Sequence, residues 1–166
     1  MAELTQARLK ELINYDPTTG IFTWRVTRGR VNRGEAAGCK QGNDQYMHCC
    51  IRIDSVNYKA HRLAFLYMHS YMPPLIDHKD GDTLNNRIEN LRQATQSQNL
   101  ANCKCSKNNA SGFKSVWFHK GDKRWMSQIM ARGHKIYLGS FLTPEEAHEA
   151  YKRAALTYFG EFARFE

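Results

Sequence analysis

Between Leu75 and Asn99 the chain reads LIDHKDGDTLNNRIENLRQATQSQN. An Asp77-His78 pair precedes a turn of acids and glycine, and asparagines follow at positions 85, 86, 90 and 99. These residue types suit hydrolysis of a phosphodiester near neutral pH. That reaction needs a base to deprotonate a water, and it needs charge neutralisation at the phosphate and at the leaving oxygen. A hard divalent cation such as magnesium or manganese performs the last two and prefers oxygen ligands. The Asp77 carboxylate and the Asn99 carboxamide oxygen are candidate ligands, and His78 is the candidate base. A histidine base also needs one tautomer held by a partner on its other ring nitrogen, for which Asn90 is the candidate. Neighbours in a strand face opposite ways, so Asp77 and His78 flank one site only where the chain bends, and Asp80–Asp82 is the place for that bend. The residues alone equally allow a polar surface turn, because asparagine favours turns and Asp-His pairs occur by chance.

These side chains must be carried by a chain of 166 residues, enough for one domain of common size or two small ones. Hydrophobic residues make up 42% and charged residues 24%, a globular rather than disordered composition. No apolar run approaches a membrane span, and the opening MAELTQARLK lacks the apolar core of a signal peptide. The expectation is a soluble, cytoplasmic protein with no membrane partner. Five cysteines at 39, 49, 50, 103 and 105 lack the Cys-x-x-Cys knuckle, so reduced thiols are expected rather than structural zinc. The net charge is +8. Residues 1–60 hold nine basic and six acidic side chains, residues 61–103 hold four of each, and residues 104–166 hold eleven and six. Basic flanks around a neutral centre suit a protein that processes nucleic acid.

The elements expected to position the site follow from periodicity. Thr5 caps a short helix with Leu9, Leu12 and Ile13 on one stripe. After the Asp16–Gly20 turn, Phe22, Trp24 and Val26 alternate as one face of a strand. Arg25, Arg28, Arg30 and Arg33 then crowd a loop with no acid among them, as phosphate contacts would require. YMHCCIRI and VNYKAH form a hairpin about Asp54 and Ser55. The segment His61–Ser70 has helical spacing at Leu63, Leu66 and Tyr67; His61 and Arg62 at its start serve function, or capping and packing. Residues 104–110 form a linker. Beyond it lie three aromatic-rich strands, GFKSVWF, KRWMSQIM and HKIYLGSF, and a helix opened by Thr143, Pro144 and Glu146 and ended by Gly160. Ala147, Ala150, Tyr151, Ala154 and Tyr158 fall on one face of that helix.

Residues 57–100 resemble the HNH endonucleases of phages and introns, through AHRLAF, IDHKDGDTLNNRIENLR and Asn99. The resemblance implies a ββα-metal site with His78 as general base, Asn90 orienting it, and Asp77 and Asn99 binding one Mg2+ or Mn2+. Asn86 and Arg87 match a part of the motif that braces the loop or meets DNA. Residues 111–166 resemble the AP-two (apetala or ethylene-response-factor) DNA-binding domain, in SGFKSVWFHKGDKRWMSQI, YLGSFLTPEEAHEAYKRAA and FGEFA. That resemblance implies a three-stranded sheet on one helix, with Lys114, Trp117, His119, Arg124, Trp125, Lys135 and Tyr137 facing DNA; Trp125 could equally be core.

The expectation is therefore an α+β protein. Residues 1–103 would form a nuclease domain with an N-terminal β-rich extension (core 57–103), residues 104–110 a linker, and residues 111–166 a DNA-binding domain. Its partner would be double-stranded DNA, its state a monomer or weak homodimer, and its setting the host cell of a phage. A non-cleaving DNA-binding regulator with a decayed nuclease site is the alternative, and a nuclease acting on RNA or without site preference is a weaker third.

Overall fold

A computed structural model describes residues 4–43, 47–106 and 108–165. Tyr46, at the head of an expected strand, and Lys107, in the expected linker, lie outside the described residues. The chain divides into two units, residues 1–93 and 94–166, each mixing short helices with small antiparallel sheets in an α+β fold. The helix that precedes the expected linker is grouped with the second unit.

In the first unit, helix α1 (Gln6–Leu12) starts where the Thr5 hydroxyl accepts from the Arg8 N–H, and it buries Leu9 and Leu12. Strand β1 (Ile13–Tyr15) pairs with β2 (Phe22–Trp24) across a turn held by Asp16, whose Oδ1 accepts from the Thr18 N–H at 2.9 Å. The expected strand runs on to Val26, but β2 ends at Trp24. Arg28 and Val31 instead bond each other's backbones about Gly29, whose φ of +56° turns the chain away from the ladder.

Strands β3 (Cys39–Gln41), β4 (His48–Ile53) and β5 (Val56–Lys59) make a three-stranded sheet in that order. The β4–β5 turn places Asp54 and Ser55 at left-handed φ of 46° and 69°, and Arg8 grips the Asp54 carboxylate through Nε and Nη2. Helix α2 (Ala60–His69) begins directly after β5, so His61 belongs to its first turn. Strands β6 (Ile76–His78) and β7 (Leu91–Gln93) pair antiparallel. Leu9, Ile13, Ile51, Ile53 and Leu63 are fully covered at the centre of this unit. Each such burial stabilises by about 1.5–3 kcal/mol.

In the second unit, helix α3 (Gln96–Asn102) opens on a capping box: the Thr95 hydroxyl accepts from the Gln98 N–H, and Gln98 Oε1 accepts from the Thr95 N–H. Strands β8 (Val116–His119), β9 (Arg124–Ala131) and β10 (His134–Phe141) form a meander with β9 central. Helix α4 (Pro144–Phe159) carries the expected Thr143–Glu146 box and packs on the sheet through Ile129, Tyr151 and Ala155. Its buried stripe steps by four residues through Ala147, Tyr151 and Ala155, which leaves Tyr158, expected on that face, 40% exposed.

Candidate functional site

The register of β6 and β7 sets Asp77 opposite Arg92 and His78 opposite Leu91. Cross-strand partners share a face, so Asp77 and Arg92 meet: Arg92 Nε donates to Asp77 Oδ2 at 2.9 Å, with Asp77 buried and Arg92 half-buried. His78, one residue on, faces the other way and is 6% exposed. Its ring stands edge-on to that of His61 on α2, with centroids 5.1 Å apart and planes at 88°. His61 in turn meets His48 on β4 at 5.6 Å and 61°. Three elements thus deliver a row of three imidazoles.

Burial pushes His78 below the ordinary histidine range; a side-chain hydrogen bond with Asn86 and the carboxylates of Asp80, Asp77 and Asp82 pull the other way without overcoming it. Burial also depresses His61, to about 3, with His78 and His48 adding to the effect. His48 is lowered by burial and then by Lys59 and His78. At neutral pH all three rings are therefore neutral, the state in which an imidazole can accept a proton.

The resemblance implies that Asn90 orients His78; the bonds of its amide go to the Asp80 loop. Asn90 sits in a 3-10 turn (Ile88–Asn90), its Nδ2 donates to Asp80 Oδ1 at 3.0 Å and to the Asn85 carbonyl at 2.9 Å, and its Oδ1 accepts from the Asp80 N–H at 3.1 Å. Asn90 is thereby the centrepiece of the Asp80 loop, while the Asn86 amide donates to the Leu84 carbonyl at 3.1 Å. The expected bend is present: the Gly81 N–H bonds the His78 carbonyl, and Gly81 takes a φ of +74°.

Asn86 is itself held from the first hairpin. The Tyr15 hydroxyl donates to the Asn86 carbonyl at 2.6 Å, and the Ile88 N–H bonds the Pro17 carbonyl at 3.2 Å. Gly20 lies so close that an added Cβ would stand 2.6 Å from Arg87 N and from the Asn86 carbonyl carbon. Sequence reasoning missed Arg92 as the partner of Asp77 and the edge-on contacts of His61 with His78 and His48. Only the register of two three-residue strands, which no local pattern specifies, brings the Asp77–Arg92 pair together.

Asn99 lies on α3 in the second unit, half-buried, with its N–H bonded to the Thr95 carbonyl. Among the described residues no three His, Cys, Asp or Glu side chains gather as a metal-binding group. Of the two expected ligands, Asp77 already accepts from Arg92 through its Oδ2. Hard oxygens of this type suit magnesium or manganese, which commonly bind through one or two protein groups plus phosphate and water. The cysteines are free thiols, two exposed and three half-buried.

The basic loop is exposed at Arg25, Arg30 and Arg33, while Arg28 lies half-buried over the Trp24 ring at 5.2 Å. Arg25 also bonds the Lys10 carbonyl through Nη1, and Arg87 is exposed. In the second unit, strand alternation sorts the expected DNA-facing residues. Trp117, His119, Arg124, Lys135 and Tyr137 share the sheet face turned away from α4, with Trp117 38% and Tyr137 59% exposed. Trp125 does not join them. It is opposite Phe118 and Phe141 and in phase with Ile129, on the α4 side, where its ring lies 5.1 Å from that of Phe118. Lys114 is also turned inward: its Nζ donates to the carbonyls of Leu100, Ala101 and Cys103 at the end of α3, and burial lowers its pKa.

Comparison with known proteins gives the arrangement a family. A model of the HNH endonucleases matches residues 58–101. Protein 3.8 of Escherichia phage T7 is 36% identical over 90 residues, which cover 54% of this chain and 74% of that protein. An uncharacterised HNH endonuclease of Acanthamoeba polyphaga mimivirus is 32% identical over 88 residues, 53% of this chain and 44% of its own. An ethylene-responsive transcription factor of Arabidopsis thaliana is 28% identical over 127 residues, 73% of this chain but 29% of its own. No solved structure matches. HNH nucleases generally use a divalent metal, and the likeness to both groups implies DNA binding. With its Asp77-His78 pair, its Asp80 loop and its matched segment, the chain belongs to the HNH endonuclease family.

Proposed function

We propose that the protein is a metal-dependent DNA endonuclease of homing type, cutting phosphodiester bonds at a preferred site in double-stranded DNA. The observation that carries this reading is the state of His78: buried, with its pKa lowered by that burial, and one residue from the buried Asp77 carboxylate. His78 acts as general base, taking a proton from the attacking water. Asn90 holds the loop that ends the strand. Asp77, with its charge oriented by Arg92, and Asn99 offer the oxygens for one Mg2+ or Mn2+. When bound, that ion neutralises charge at the phosphate and stabilises the leaving oxygen. Arg25, Arg28, Arg30, Arg33 and Arg87 bind backbone phosphates, and the outer sheet face of the second unit, through Trp117, His119, Arg124, Lys135 and Tyr137, reads the duplex. The protein works as a monomer or weak homodimer inside the host cell of a phage.

Incubation with supercoiled plasmid and magnesium, beside a His78→Ala variant, tests the reading. Nicking or linearisation by the wild type alone is the expected result. The likeness to a transcription factor favours a second reading, a DNA-binding regulator that does not cut. DNA binding with no cleavage by either protein would establish that reading and sink the first.

A further inference from the structure

His61 is absent from the roles above, yet it is among the most enclosed polar side chains of the first unit, at 8% exposed. A buried imidazole in an apolar setting needs a reason, since a leucine at this position of α2 would fill space without desolvation cost. The reason lies in what its ring touches. It meets His78 at 88° and 5.1 Å, an edge-to-face contact, and His48 at 61° and 5.6 Å. Edge-to-face rings lock each other's torsion, because turning either one drives its edge out of the other's face or into it.

The ring of a general base is otherwise free to rotate about χ2, which is a broad torsion in histidine. The edge-to-face contact with His61 supplies a restraint on that torsion. We infer that His61 is a positioning residue for His78, holding the imidazole plane through the ring–ring contact, with His48 in edge contact with His61 in turn. The inference rests on the reading of His78 as the base. The low pKa of His61 is consistent with this role: the ring stays uncharged beside a base whose proton affinity a neighbouring cation would depress. A helix is a suitable mount, since α2 is anchored by Leu63, Ala64 and Leu66 in the core and gives its first turn little freedom.

Two substitutions of similar bulk separate ring contact from space filling. His61→Phe keeps an aromatic edge; His61→Leu fills the cavity without one. Plasmid or duplex cleavage in magnesium should show kcat close to wild type for His61→Phe. For His61→Leu it should fall roughly tenfold or more with KM for DNA unchanged, as expected when a reacting group is misplaced while binding is intact. The second readout is the His78 ring proton shifts by NMR, which the neighbouring ring current sets: they should stay near wild type in the Phe variant and move in the Leu variant. Equal kcat in both variants and wild type, or His78 ring signals unmoved in the Leu variant, would overturn the inference and leave the nuclease reading standing. Loss of cleavage in both variants alike would overturn it too, since a ring would then not suffice. A wild-type protein that does not cut DNA overturns the inference together with the reading on which it rests.

Discussion

Acid should unfold the first unit earlier than its carboxylates alone would require, and His61 should account for a measurable share. The ring is held to about 3 in the folded chain against an ordinary 6.5. Between those values the unfolded chain binds a proton that the folded chain does not. Stability therefore rises with pH across this window, and it is lost as pH falls from about 6.5 towards 3. The slope is roughly 1.4 kcal/mol per pH unit for one such group. Lowering the pH from 7 to 4.5 should then cost about 2.5 kcal/mol from His61 alone. His48 and His78 are depressed in the same direction and add to the loss. Asp16, Asp54 and Asp80 are held below the usual carboxylate range, so their contributions fade only as pH drops below about 4 and are common to any His61 variant. The perturbation is His61→Phe, and the assay is urea denaturation at pH 7 and 4.5, followed by hydrogen exchange at the amides of Ile51 and Leu63. Wild type should lose about 2.5 kcal/mol more than the variant. Parallel losses in the two proteins would refute the argument, because they would mean that His61 is protonated in the folded state or sheltered from titration in both.

Other expectations follow from the same geometry. Gly20→Ala places a Cβ against the Asn86–Arg87 backbone at a φ of +74°, so it should cost about 1–3 kcal/mol and reduce cleavage more than DNA binding, read by thermal melts and kcat against KM. Lys114→Met removes three charge-assisted bonds to the end of α3 and should destabilise the second unit by about 1–3 kcal/mol in denaturation, with DNA affinity at low temperature little changed. Arg124→Ala and Lys135→Ala should each weaken DNA binding and lower its salt slope by about one, whereas Trp125→Phe should lower stability and leave the slope alone; fluorescence anisotropy at several salt concentrations decides. Arg92→Met removes the Nε donor that Asp77 Oδ2 accepts at 2.9 Å and should cost about 3–5 kcal/mol, read by urea denaturation.

Local chemistry was the legible part. Thr5, Thr143 with Glu146, and the residues about Asp54 marked caps and turns because those signals need only a few neighbours in sequence. The meander of β8–β10 was legible for the same reason: each strand alternates and each connection is short. The capping box at Thr95 and Gln98 was equally present in the sequence, as a Thr-x-x-Gln, and was passed over beside the asparagines. Within the site, spacing identified Asp77 and His78 but did not separate the surroundings of Asn86 from those of Asn90. Both lie in one loop and carry the same amide, and their difference arises from Asp80 turning back onto Asn90, a contact across ten residues. Trp125 was ambiguous because an aromatic at a half-covered edge suits either face; the phase set by Ile129 resolves it.

The hold of the first hairpin on Asn86 bears on what can be cut out of this chain and still work. The stretch that matches the family begins at residue 58, more than thirty residues after Tyr15, Pro17 and Gly20. A fragment trimmed to the matched stretch would keep His78 and Asn86 and lose the phenol, the carbonyl and the glycine that press on the Asn86–Ile88 backbone. The smallest transplantable nuclease is accordingly longer than the matched stretch. Any recombination that trades that stretch between proteins must carry the Tyr15–Gly20 clamp with it or supply a substitute.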